Sequence, residues 1–221
     1  MSQPMSIIEI IKEKVQEIAR SRNLQDHEAF GYYFLEDHED LSQEEAEKVI
    51  LDGPWDRGRD AVYYDDENGI LKIYQFKYSE NPSYVEQALI DIQRGIEAEE
   101  RTGRLKGKKE EIKGVDLIIV TIASINESLR KKAKKCEKSI KKWLKDRGYD
   151  IECNVELIDL ARFRELFEKI RGVDVTLRWQ VKNIVGGGNA IIGLLDARGL
   201  AEIIDHEELF RYKYQKVFRY T

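Results

Sequence analysis

The sequence predicts an α/β fold, an α/β/α sandwich around a central mixed sheet, and three observations lead there. Two runs rich in β-branched and aromatic residues, AVYY and ILKIYQFKY, flank Asn68-Gly69, the strongest short-range signal for an antiparallel hairpin. After Gly114 the run VDLIIVTI is almost continuously apolar, as a strand buried on both faces requires. Helical spacing of apolar residues recurs before, between and after these runs, and helices in that order cover both faces of a sheet.

The first helix, SIIEIIKEKVQEIAR at 6–20, places Ile7, Ile10, Ile11, Val15 and Ile18 on one face. A second runs from Asp26 or His27 to about Asp37, with Ala29, Phe30, Tyr33 and Phe34 as its apolar side. Ser42 with Glu45 opens a third as a capping box, and Gly53 and Pro54 stop it. The hairpin follows, then a helix over 83–101, a charged loop or frayed helix end at GRLKGKKEEIKG, and the buried strand over 115–122. A basic helix ends at Gly148, a strand lies within 149–160, and a helix over 162–170. Beyond Gly172 the pattern predicts a strand over 173–181, a turn at GGGN (186–189) and a partly helical 194–204. The chain thus divides into an N-terminal helix (1–25), a core (26–172) and a small C-terminal β/α extension packed on that core (173–221).

A length of 221 residues and a 42% hydrophobic content suffice for a real core. No apolar run approaches the ~18 residues of a membrane span, and the N-terminus lacks a signal-peptide core, so the expectation is a cytoplasmic protein with no membrane partner. Cys136 and Cys153 have no CxxC or Cys/His cluster beside them, which argues against zinc and leaves a disulfide open. The net charge of −5 argues against indiscriminate coating of nucleic acid. Local charge differs: RKKAKKCEKSIKKWLKDR at 130–147 sets ten basic residues against Glu137 and Asp146. That helix is either a solvated face or a phosphate-backbone surface, with Lys131, Lys134, Lys135, Lys138 and Lys141 as the candidate contacts.

Polar residues are placed oddly in DGPWDRGRDAVYYDDENGILKIYQFKY (52–78). If Asn68 and Gly69 form the whole turn, Asp60 faces Lys77 and Val62 faces Gln75; a longer turn shifts this register by a residue or two. A two-residue slip keeps Asp60, Gln75 and Lys77 on one face, so an acid, an amide and an ammonium converge at the open end of the hairpin. Buried polar groups cost free energy unless paired, and the bland account is an exposed Asp60–Lys77 ion pair of little energetic consequence. Gly53 and Gly58, just before Asp60, allow the backbone to approach a ligand closely.

The pattern D-G-x-x-D-x-G-x-D, a hairpin, and then Q-x-K-Y resembles the PD-(D/E)xK nuclease superfamily, in the variant where Gln replaces the second acid. It is most similar to the N-terminal nuclease-like domain of abortive-infection phage-resistance (AIPR) proteins, and more distantly to Mrr-like restriction endonucleases. EAFGYYFLE at 28–36 resembles the helix that precedes the motif in that family. The resemblance implies a restriction-endonuclease-like sandwich with an antiparallel catalytic hairpin. It implies an endonuclease dependent on Mg2+ (or Mn2+) that hydrolyses phosphodiester bonds of DNA in phage defence or restriction, with RNA still open as substrate and a homodimer as the assembly.

By the same resemblance Asp60, Gln75, Glu28 and the backbone carbonyl of Phe76 hold the metal. Asp60, Gln75, Lys77 and Glu28 carry catalysis, with Lys77 orienting the water or stabilising charge on the phosphate. Glu36, two turns later, is the alternative helix acid, and Glu28 has a plainer reading as an acid aligned with its helix dipole. Asp56 binds metal or caps the turn, Asp52 is a turn residue, Tyr78 contacts phosphate or packs, and Trp55 stacks on a base or anchors the loop. His27, His38 and His206 lack metal-ligand spacing and carry no predicted role. Two rival readings remain: a module of the same fold that binds without cutting, since Gln75 brings less charge than a carboxylate, and an interaction domain that docks an acidic partner on helix 130–147.

Overall fold

Helix α1 (Ile7–Arg22) starts where Ser6 and Glu9 form a reciprocal capping box, Ser6 N donating to the Glu9 carboxylate at 2.7 Å. The computed structural model to which it belongs describes residues 6–51, 58–108, 110–171, 179–185 and 190–195. Buried Ile11, Val15 and Ala19 turn α1 towards α2 (Asp26–Asp37), and the predicted Ser42–Glu45 capping box opens α3 (Gln43–Val49).

Strands β1 (Ala61–Asp65) and β2 (Ile70–Lys77) pair antiparallel as predicted, but in another register. Asp65 faces Ile70 across a four-residue loop, so Asp60 lies opposite Gln75, not Lys77. The cause is Asp65. Its carboxylate accepts from Glu67 N and Asn68 N, both at 3.1 Å, and its carbonyl accepts from Gly69 N at 2.8 Å with Gly69 at φ +70°. An Asx-type turn of four residues therefore displaces the tighter Asn-Gly turn.

Helices α4 (Ser83–Thr102) and α5 (Arg104–Gly107) carry the chain to β3 (Gly114–Thr121), and α6 (Glu127–Asp146) carries it to β4 (Glu152–Ile158). The long connections make β2, β3 and β4 parallel, in the order β1-β2-β3-β4. Leu71 and Ile73 of β2 and Val115, Leu117 and Ile119 of β3 pack under Ile92 and Ile96 of α4 and Ile140 and Leu144 of α6. On the other face Tyr74 and Phe76 meet Phe34 of α2, and Phe163 at the start of α7 (Leu160–Arg171) meets Phe30, Tyr33 and Phe34. The result is the predicted α/β sandwich, a mixed sheet between helices.

The chain falls into two compact units, residues 1–163 and 164–221. Within the second, β5 (Trp179–Val185) and β6 (Ala190–Leu195) pair antiparallel. The strand predicted over 173–181 is described only from Trp179. Leu194 and Leu195, expected to begin a partly helical stretch, instead close β6, because ladder pairing with Val181 and Trp179 satisfies their backbone. Residues 196–204 and the GGGN turn lie outside the described residues. Among the described residues no helix is long and apolar enough to cross a membrane.

Candidate functional site

Asp60 stands one residue ahead of β1 and is tied to β2 three ways. Its backbone N donates to Tyr74 O at 2.9 Å, Oδ1 accepts from Gln75 Nε2 at 2.6 Å, and Oδ2 accepts from Phe76 N at 2.6 Å. The last bond has a simple origin: the β1 ladder begins at Ala61, and the Asp60 side chain takes up the Phe76 N–H that the ladder does not reach. Peptide groups two residues apart on a strand turn to the same neighbour, so the Phe76 carbonyl also lies on the β1 side. Gln75 is 1% exposed, and its Oε1 is buried without a hydrogen-bond partner among the described residues.

Facing this end of the hairpin is one side of α2. Leu24, His27, Glu28, Gly31 and Tyr32 recur at spacings of three and four, and with Ile50, Leu51, Asp60, Phe76 and Lys77 they line a cleft of about 310 Å3. Gly31 sets the approach, since a Cβ there would stand 3.1 Å from the Phe76 ring. Glu28 is thereby brought to the cleft that Asp60 also lines. One of its oxygens is engaged, Oε2 accepting from Gln25 N at 2.7 Å in the α2 capping box, which is the plainer role weighed for it. Lys77 is half-buried at the rim, with no acid within ion-pair distance among the described residues.

Other candidates have surroundings of their own. Glu36 is not available as the helix acid: it is 7% exposed and held bidentately by Arg22 at 2.6 and 2.9 Å. Tyr78 packs its ring 5.2 Å from Phe30 and does not line the cleft, and burial raises its phenol above the usual range. Gly58, at φ +82°, packs closely on α4, where a Cβ would lie 2.1 Å from Asp91 O. Asp52, Trp55, Asp56 and His206 lie outside the described residues.

His27 is the cleft residue that sequence reasoning missed. Its signal was the three-and-four spacing it shares with Leu24, Glu28 and Gly31, whereas attention to metal-ligand spacing passed over it. His38 lies elsewhere, among Tyr33, Phe34 and Phe163, with its Nε2 3.2 Å from the Tyr33 hydroxyl. Burial pushes its imidazole down to about 4. Cys136 and Cys153 are both free thiols; burial raises both, Cys153 to about 12.

The chain matches no family model, no curated protein and no solved structure. Its site is therefore read from its own residues.

Among the described residues no three His, Cys, Asp or Glu side chains gather as a metal-binding group. The predicted donor set is of another kind, two carboxylates with an amide and a peptide carbonyl, all oxygens that suit a hard divalent cation. Asp60 Oδ1 and Oδ2 each accept a hydrogen bond from β2, from Gln75 Nε2 and Phe76 N. Gln75 turns its NH2 to Asp60, so its orphaned Oε1 joins the set only if the amide turns over. On donor chemistry the residues fit Mg2+ or Mn2+.

The basic helix lies on the other face of the sheet. Leu129, Ala133, Ile140 and Leu144 are its buried side, and Lys131, Lys134, Lys135 and Lys138 are exposed. Lys141 is exposed as well, and its Nζ pairs with Glu152 of β4 at 2.7 Å.

Proposed function

We propose that the cleft is the active site of a metal-dependent nuclease that hydrolyses phosphodiester bonds of DNA, in phage defence or restriction. The observation that supports this reading is the meeting of Asp60, Glu28 and Lys77 on one cleft, with Asp60 pinned by Gln75 and by Phe76 N. Mg2+ or Mn2+ held by Asp60, Glu28, the Phe76 carbonyl and the Gln75 amide oxygen would supply Lewis acidity and a water of lowered pKa. Asp60, held by Gln75 Nε2 and Phe76 N, loses little further freedom on taking up a ligand. Lys77 lays an ammonium against the phosphate and stabilises the negative charge that grows on it during attack.

Plasmid, single-stranded DNA and RNA are incubated with the protein in Mg2+ or Mn2+, beside Asp60→Ala and Lys77→Ala. Cleavage that falls at least about 100-fold in both variants is expected. Wild type and variants equally inert would sink the proposal. In a homodimer two such clefts would address the two strands of a duplex, which sedimentation of the protein alone and with duplex would reveal.

One observation favours a second reading, a module that binds nucleic acid without cutting. Gln75 presents a donor, not an acceptor, to Asp60. Retention of DNA with no cleavage in either metal, and cleavage appearing in Gln75→Glu, would select it.

A further inference from the structure

Helix α6 carries two kinds of lysine. Lys132 and Lys141 sit on its flanks and reach neighbouring elements, Lys132 pairing with Glu86 of α4 at 2.6 Å and Lys141 with Glu152 of β4 at 2.7 Å. Lys131, Lys134, Lys135, Lys138, Lys142 and Lys145 stand on the side opposite buried Leu129, Ala133, Ile140 and Leu144. All six are exposed, and none has an acid within ion-pair distance among the described residues.

Their spacing makes this costly. Lys131 with Lys135, Lys134 with Lys138 and Lys138 with Lys142 are like charges four residues apart, an arrangement that destabilises a helix. Glu137, the acid nearest the middle of the helix, is turned away and accepts from Val155 N of β4 at 3.2 Å. A repulsive ridge in a chain of net charge −5 is a local rule broken without compensation inside the described fold, which is where function is expected. From Lys131 to Lys145 the ridge runs about 21 Å along the helix axis.

We infer that this ridge is a docking surface for the phosphate backbone of nucleic acid. A linear row of evenly spaced cations complements a linear row of phosphates. An anionic membrane fits less well, because a helix that lies on lipid presents an apolar face outward, and the apolar face of α6 is buried against the sheet. The choice of nucleic acid as ligand rests on the reading of the cleft as a nuclease site. The ridge contributes binding energy common to all sequences and has no part in cleavage. Because α6 begins where β3 ends, its Lys131 end lies at the end of the sheet where β2 delivers Gln75 and Lys77, so one substrate can engage both.

Binding of labelled duplex and single-stranded DNA to the full chain is measured without divalent metal over a range of salt concentrations. The variants are Lys131→Gln/Lys134→Gln/Lys138→Gln and the flank control Lys132→Gln/Lys141→Gln. The ridge variant is expected to bind at least tenfold more weakly and to lower the duplex salt slope by about 3, roughly 0.9 per lost phosphate contact, while the flank control changes little. Retention of α6 in the ridge variant is checked by circular dichroism, and helicity there is expected to hold because repulsion is relieved. Equal affinity and slope in ridge variant and wild type overturn the proposal. So does binding by wild type to phosphatidylserine vesicles and not to DNA, or binding to neither. Asp60→Ala that binds as wild type but does not cleave supports ridge and cleft alike. Ridge-dependent binding with no cleavage by wild type retains the ridge and counts against the nuclease.

Discussion

Gln75 is 1% exposed and donates its Nε2 to Asp60, so a change at Gln75 is felt by the carboxylate it holds. Gln75→Glu would set two carboxylates together where one is now hydrogen-bonded. Without divalent metal this should cost about 1–3 kcal/mol, and Mg2+ or Mn2+ should return more stability to the variant than it adds to wild type. Thermal melts with metal and with chelator read both; a variant that melts like wild type in chelator would contradict the tight coupling of this pair. His38 makes a separate prediction. Its imidazole is held down to about 4, against 6.5 for a free histidine, by burial, with Asp37 and Lys14 as its charged neighbours. The unfolded chain thus binds a proton first as pH falls. The contribution is whole above pH 6.5 and is lost between 6.5 and 4, up to about 3 kcal/mol. Urea unfolding at pH 7.5 and 4.5 should show that loss in wild type and a smaller one in His38→Phe.

Elements were the most legible level. The Ser42–Glu45 capping box and the apolar run of β3 stand where the sequence places them, since caps and periodicity act over a few neighbouring residues. Ser42→Ala should accordingly cost about 1 kcal/mol in an unfolding titration. How elements approach one another was not legible. Gly58 and Gly95 let the segment before β1 close on α4, a Cβ at Gly95 standing 2.7 Å from Gly58 O. Gly58→Ala combines that clash with a left-handed φ and should lose upwards of about 3 kcal/mol. Gly107→Ala, at the end of α5 with nothing within 4 Å of the added Cβ among the described residues, should be neutral or stabilising by up to about 1 kcal/mol. If both variants melt alike, close packing of this segment on α4 is not what Gly58 provides.

At the scale of the molecule, one face of the sheet is an aliphatic core under α4 and α6 and the other an aromatic layer under α2 and the start of α7. Leu117, fully buried in the central strand β3, anchors the first; Leu117→Ala should cost about 2–5 kcal/mol in a urea unfolding titration. The sequence by itself determined the order and kind of the elements in this sandwich, the shared face of Asp60, Gln75 and Lys77, and the basic character of α6. Turn residues, caps and apolar period are local signals, and side-chain alternation survives a two-residue slip. Only the tertiary structure decided whom each polar group meets. The Asp65 turn moved Asp60 from Lys77 to Gln75, Arg22 of α1 claimed Glu36, and the close approach at Gly31 brought His27 and Glu28 to the cleft. These partners lie far apart in the chain, and the energy of a polar pair depends on which groups packing brings within hydrogen-bond reach, which no local pattern encodes.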